Sequence, residues 1–428
     1  MTSYAAAQAA ARQCYGKLVA YLSARTHDVA GAEDALADAF EAALHRWPVQ
    51  GVPAAPEAWL LTAARHRLID TARQRKTQEH NAAQLLLLVD EFDEVDDTQA
   101  QAHAIPDQRL ALMFACAHPA IDATVRAPLM LQVLLGFDAA SIASAFLTSP
   151  TTMGQRLVRA KAKIKQSGMA LVVPDRHDMP ERLDTVLAAT YAAFAEGWLD
   201  PTGAETRRRS LAEEGLWLAR LLASLMPQEP EALGLLALML YTHARRFARR
   251  SAAGDYVPLA QQDTALWDKP LLLQAQELLL HASSFQCPGR YQLEAAVQSA
   301  HVHAVLSGVA TGAAVLGLYD ALLHITQSPV VAINRAVALA QCDGINSKLN
   351  SNANAVAALE ALDALLSEPR LRDYQPYWAA RAHVLQRLGQ NADAAAAYQR
   401  AIGLESDAAV RRYLQQRWDE VTEQLTPQ

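Results

Sequence analysis

The sequence predicts an all-α protein, with two small helical domains, the second ending in a helix-turn-helix, followed by a large helical extension. Three observations carry this. Alanine and leucine dominate a chain in which 51% of residues are apolar and 19% charged, and these residue types favour helix. Runs of β-branched residues are few. No stretch alternates apolar and polar residues as a half-buried strand does. At 428 residues the chain exceeds one ordinary core, so roughly two to four domains are expected.

The first domain spans residues 1–76. Helical patterning covers Tyr4 to Thr26 and then Asp28 to Trp47, and Pro48, Gly51, Pro53 and Pro56 interrupt it. A third helix starts near Pro56, where proline suits the first turn. Its Trp59, Leu60, Ala63, Ala64, Leu68 and Ile69 form one apolar stripe, which makes Trp59 a core residue rather than a stacking platform.

Residues 77–105 read as an acidic linker. From Thr77 to Gln108 there is no Lys or Arg, while Glu79, Asp90, Glu91, Asp93, Glu94, Asp96, Asp97 and Asp107 are acidic. The second domain spans residues 106–170. Phe137 to Phe146 reads as a short helix, Leu147 to Pro150 as a turn and Thr151 to Gln166 as a longer helix. Leu157, Ala160 and Ile164 form the buried side of that helix, and Thr152, Gln155, Arg156 and Arg159 recur on another side. Any helical hairpin can look like this, and the clustering of cations after the turn is what favours a DNA-reading element.

The remainder divides into residues 180–285 and 286–428. The last part carries a tetratricopeptide-like pattern: Trp378, Ala382, Leu385, Gly389, Ala394, Tyr398 and Ala401. A degenerate copy upstream has Ile333, Val337 and Gly344, then Ala357, Ala361, Ala364 and Pro369. Between its halves the polar insertion Asn346 to Asn354 is expected to be a surface loop. Glu196, Arg245, Arg246, Asp263, Gln292, Asn334 and Arg335 are polar residues in apolar settings, and a structural network is the favoured reading over a ligand or protein groove.

Charge distribution says more than the net charge of −7. Arg65, Arg67, Arg73, Arg75 and Lys76 form one basic segment, and Arg156, Arg159, Lys161, Lys163 and Lys165 form another, with the acidic linker between them. The four cysteines, Cys14, Cys116, Cys287 and Cys342, are scattered without a CxxC, so neither a disulfide framework nor a zinc site is expected. Cys116 beside His118 reads as a buried thiol near a loop histidine. The longest apolar run, Leu233 to Tyr241, is about half of what spans a bilayer, and the N-terminus lacks the features of a signal peptide, so a cytoplasmic location without membrane contact is expected. The chain has no phosphate loop, nucleophile elbow or metal-ligand set, which argues against an enzyme, a metal or a cofactor.

In combination these segments resemble one family. Residues 32–40, AEDALADAF, are similar to the sigma-factor segment that contacts the polymerase clamp. Residues 58–70, AWLLTAARHRLID, resemble the segment that melts and reads the −10 promoter element, and residues 152–160 resemble the −35-reading helix. Two such domains joined by an acidic linker resemble the extracytoplasmic-function (ECF) sigma factors. Residues 194–198, 234–239, 291–296 and 328–337 look like the subgroup with a TPR-like C-terminal extension of the DUF6596 type. The chain departs from the family pattern at His66, Ser141, Gly154, Ala195 and Trp198. Of these, Gly154 weakens its helix by about 1 kcal/mol relative to alanine.

The resemblance implies an all-α fold and a set of roles. Polymerase binding falls on Asp34, Leu36, Asp38 and Phe40, with the acids facing a basic partner surface and the apolar pair as anchors. Reading of the −10 element falls on Arg65, His66, Arg67, Arg73, Arg75 and Lys76, with His66 against a base and the rest tracking the backbone. Asp70 either orients an arginine or forms a surface ion pair. The −35 element falls to Thr152, Gln155, Arg156, Arg159, Lys161 and Lys163, of which Gln155 and Arg156 are assigned to base edges and Arg159, Lys161 and Lys163 to phosphates. Lys165 reads as a solvated helix end. The linker acids either imitate nucleic acid near the RNA exit path or act as a spacer.

The implied partners are core RNA polymerase, promoter DNA, and a protein or small ligand at the extension. The competing readings are a TPR-type interaction adaptor and a ligand-sensing helix-turn-helix repressor.

Overall fold

The computed structural model describes residues 3–78, 107–146, 148–168, 171–175, 178–198, 206–342 and 349–424. Most of the 77–105 linker, and with it the roles expected of its acids, lies outside these. The described residues are helical with no strand, and their one antiparallel bridge joins Arg250 and Tyr256. Packing divides the chain into two compact units, Met1–Leu199 with Thr206–Leu218, and Asp200–Glu205 with Ala219–Gln428.

In the first unit, α1 (Ser3–Thr26), α2 (Val29–Gln50) and α3 (Pro56–Gln78) pack on one another. Asp28 starts α2, its Oδ1 accepting from Gly31 N at 3.0 Å. Ala32, Ala35, Leu36, Ala39, Ala43 and Trp47 form its buried stripe. The helix outlasts the expected stop at Trp47. Pro48 sits in its last turn, and Gly51, at φ 87°, closes it by donating to Trp47 O. Proline near a helix end removes only one intrahelical hydrogen bond, so the helix continues past it.

The second domain comprises α4 (Arg109–Cys116), α5 (Ala123–Leu135), α6 (Ala139–Ala145) and α7 (Pro150–Gln166). Three N-caps set its turns. Asp122 accepts from Thr124 N at 2.8 Å, Asp138 from Ser141 N at 2.8 Å and Ser149 from Thr152 N at 3.1 Å. Pro150 occupies the first turn of α7. The helix-turn-helix is therefore α6, a capped turn and α7, which buries Met153, Leu157, Ala160 and Ile164.

These two domains pack together. Helix α1 contacts both α4 and α5, and α2 contacts α7. A Cβ on Gly16 would stand 2.2 Å from Leu134 O, so the backbones of α1 and α5 meet where only glycine fits. The unit does not end near residue 180. Helix α8 (Met179–Trp198) packs on α4 and α5, and Arg182 Nη2 donates to Phe114 O at 2.8 Å. The following helix α9 (Thr206–Leu225) crosses from one unit to the next.

In the second unit, α10 (Pro230–His243) is buried on every side from Ala232 to Tyr241 and packs against α11 (Lys269–Ser284) and α12 (Arg290–Ser307). Glu231 satisfies the first turn of α12, its oxygens accepting from Tyr291 N at 2.8 Å and Gln292 N at 3.1 Å. Helices α13 (Gly312–Thr326), α14 (Pro329–Gln341), α15 (Leu349–Ala364), α16 (Gln375–Arg387), α17 (Asn391–Leu404) and α18 (Ala408–Glu423) follow, each packed on the next. Ala382, Leu385, Ala394, Tyr398 and Ala401, all positions of the sequence pattern, are interior to α16–α18. Gly389 turns the chain between α16 and α17 at φ 72°.

The insertion expected to be a loop is in large part helix. α15 begins at Leu349, and Asn354 Nδ2 donates to Cys342 O at 2.8 Å, satisfying a carbonyl at the end of α14.

Candidate nucleic-acid and polymerase interfaces

Helix α7 carries its charges on two faces. Gln155, Arg156, Arg159 and Lys163 are exposed. Arg156, Arg159 and Lys163, spaced i, i+3 and i+7, line a groove of about 640 Å³ whose other wall is the turn from Pro119 to Arg126. Arg126 is locked into that wall by Nε donating to Ile121 O at 3.0 Å and Nη2 to Pro119 O at 3.2 Å. Among the described residues the one carboxylate lining the groove, Asp122, is occupied as a cap. Its hydrogen bonds from the Thr124 hydroxyl and backbone hold it below the usual carboxylate range. Burial, then the charges of Arg182, Arg126 and Lys163, pushes the neighbouring His118 down. The groove is thus a cationic channel beside a helix N-terminus, a setting that suits phosphate.

Two of the expected DNA-binding residues are engaged elsewhere. Thr152 shares a 2.7 Å hydrogen bond with Ser149 and belongs to the cap. Lys161 does not face the groove: its Nζ lies 2.7 Å from Glu33 Oε2 on α2. Lys165, expected to be only a solvated helix end, lies 2.6 Å from Asp28 Oδ2. The cause is helical phase, since 161 and 165 share a face turned away from 156, 159 and 163.

On α2 and α3, Asp38, His66, Arg67, Trp59 and Asp70 line a second groove of about 410 Å³. Arg67 Nε lies 2.5 Å from Asp38 Oδ2, joining a residue assigned to polymerase to one assigned to the −10 element. His66 is exposed. Arg65 is held against α1, with Nη2 donating to Tyr21 OH at 2.9 Å. The side chains of Arg73, Arg75 and Lys76 lie outside the described residues. Asp34 is exposed and Phe40 half-buried, but Leu36 is 0% exposed and forms part of the core stripe of α2, so it supports the helix rather than offering a surface anchor. Trp59, expected in the core, is only half-buried: one side meets the buried Trp47 edge-on at 5.6 Å and the other faces the groove.

The polar residues of the extension are structural where described. Arg245 donates to Tyr241 O at 3.1 Å and to Gln298 Oε1 at 2.5 Å, and burial brings it down to about 10. Arg246 pairs with Asp268, and Asp263 accepts from Ala265 N at 2.9 Å. Gln292 joins Glu231 to Cys287 O. Asn334 is exposed and Arg335 pairs with Asp320, so these two do not sit in an apolar setting. The Glu196 side chain lies outside the described residues. Sequence reading missed Arg126, an isolated cation before the turn, and the pairing role of Asp28 and Glu33, because neither shows in local spacing.

Residues 10–78, most of α1 and all of α2 and α3 with the second groove, match sigma-70 region 2. The first unit therefore carries a sigma-70 region 2 domain. Residues 182–283 match a family of unknown function, DUF6596. The chain is 36% identical to an uncharacterized protein of Rhizobium meliloti over 95% of its own length and 93% of the relative's, and it belongs to the same family. No solved structure matches it. Among the described residues no helix is long and apolar enough to cross a membrane.

Proposed function

We propose that the protein is an alternative sigma factor of the ECF type, which binds core RNA polymerase and directs transcription initiation at specific promoters. The observation that carries this reading is the exposed stripe of Gln155, Arg156, Arg159 and Lys163 on the capped second helix of a helix-turn-helix. It lies in the same compact unit as a sigma-70 region 2 domain. One element reads duplex DNA through base edges and phosphates. The other offers Asp34 to polymerase and His66 to a melted strand, and Asp38 and Arg67 join them once their mutual pair opens. Neither role calls for a cofactor or catalytic group, and such a protein works in the cytoplasm.

The C-terminal helices stack as sequential neighbours, the arrangement of TPR-like arrays that bind protein partners. We assign them a regulatory or interaction role, directed at a protein or small ligand. Run-off transcription with purified core polymerase and a template library tests the central reading. Discrete transcripts sharing two upstream elements are expected. No initiation from any template, together with no binding to core polymerase, would overturn it.

A further inference from the structure

The second charged face of α7 is fastened to α2. In the Lys161–Glu33 pair both side chains are nearly buried, at 13% and 11% exposure. One turn along, Lys165 pairs with Asp28, the residue that caps α2. Behind these pairs the α1 backbone at Gly16 meets the end of α5 at Leu134, and the Tyr15 ring lies over Gly136. The contact is therefore a packed seam with an ionic edge. Helices in such contact cannot at the same time grip two separated stretches of promoter. A lysine paired to a carboxylate is also unavailable to a phosphate, which neutralises the same charge with the same geometry. Taking one partner out of a buried ion pair leaves the other charge uncompensated, so the lysines can exchange carboxylate for phosphate only as the helices part and water reaches Glu33 and Asp28.

We propose that Asp28 and Glu33 are an intramolecular stand-in for DNA phosphate, holding Lys161 and Lys165 on α2 in the free chain until promoter DNA takes their place. Binding at the groove face of α7 then begins with Arg126, Arg156, Arg159 and Lys163, which stay accessible while the clasp is closed. Release of the two lysines adds their phosphate contacts and frees α7 to move away from α2. The inference rests on the DNA-binding reading of α7.

The full-length chain carrying E33Q and D28N tests it, because asparagine at 28 retains the cap. Affinity for a random-sequence 30-bp duplex is measured by fluorescence anisotropy across salt concentrations. At low salt the double variant should bind roughly tenfold more tightly than wild type, since the binding-competent form is no longer a minority. Its log–log salt slope should steepen by up to about two, one per freed lysine. E181Q removes an exposed acid of the same unit that lines neither groove and should leave both quantities near wild type. Equal gains for E181Q and E33Q/D28N, or no gain at all, would overturn the clasp while leaving DNA binding intact.

Hydrogen exchange gives an independent measure. Amides of residues 14–18 and 131–136 should exchange faster in E33K and recover in the charge swap E33K/K161E. Unchanged exchange in E33K also overturns the clasp. Absence of duplex binding in every variant, alongside the expected exchange pattern, would instead overturn the DNA-binding reading and the phosphate role together.

Discussion

Arg156 and Arg126 differ in how much freedom they have. Arg156 is exposed on the stripe proposed to reach base edges, whereas Arg126 is fixed to two backbone carbonyls on the opposite wall. Replacing Arg156 with alanine should therefore cost about 1–3 kcal/mol at one base position and relax selectivity there. Arg126→Ala should weaken binding uniformly across sequences and reduce the salt slope by about one. Competition binding against a set of single-base variants separates the two outcomes. If both substitutions changed selectivity alike, the division of labour across the groove would be wrong.

His243 makes a pH prediction in the second unit. Burial, then the charge of Arg246, pushes it down from 6.5 to about 4. Its proton is held more tightly in the unfolded chain, so stability is complete above about 6.5 and falls as pH drops toward about 4. The loss attributable to this residue is at most about 3 kcal/mol. Urea denaturation at pH 7 and pH 5 should show it, and His243→Gln should flatten the difference.

Among elements, the seam between α1 and α5 depends on Gly16. Because any Cβ there collides with a backbone oxygen rather than a flexible side chain, Gly16→Ala should destabilise the first unit by about 1–3 kcal/mol or more. Calorimetry should show its transition lowered. An unchanged transition would mean that α1 and α5 do not meet so closely in solution. Ser149→Ala, which removes the α7 cap, should cost about 1 kcal/mol by the same measurement.

For the whole molecule, the boundary between units decides how the extension can be studied. Helix α8 covers α4 and α5, so truncation at residue 180 uncovers their packed face and leaves Phe114 O without its Arg182 partner. Such a truncation should show reduced solubility and stability regardless of any regulatory role. A fairer probe of the extension leaves the first unit whole and loosens the second at its own closure. There, Arg250 pairs with Asp407, Arg412 pairs with Asp255 at 2.8 Å, and Tyr256 meets Tyr413 edge-on at 5.4 Å. These contacts tie the long connection after α10 to the last helix. Asp407→Ala removes both a cap and an ion pair, and it should lower the stability of the second unit while leaving duplex binding unchanged. An equal loss in DNA affinity would show that the extension acts on the DNA-binding unit.

The sequence by itself determined the all-helical class, the helices of the first two domains and the two basic segments, because helical periodicity and proline starts are local signals. The helix, turn and helix from Phe137 to Gln166 were legible for that reason, whereas Trp59, read as core, is half-buried and lines a groove. Contacts distant in the chain were not legible. Asn354 looked like loop and satisfies a helix end, and Arg126 joined a groove built by residues far along the chain, whereas Leu36, an anchor only by the family resemblance, is core as helical spacing alone favours. Only the tertiary structure decided that Lys161 and Lys165 face acids of another domain. Which phase of α7 meets α2 depends on how two separately folded domains pack, and no spacing within α7 encodes its partner.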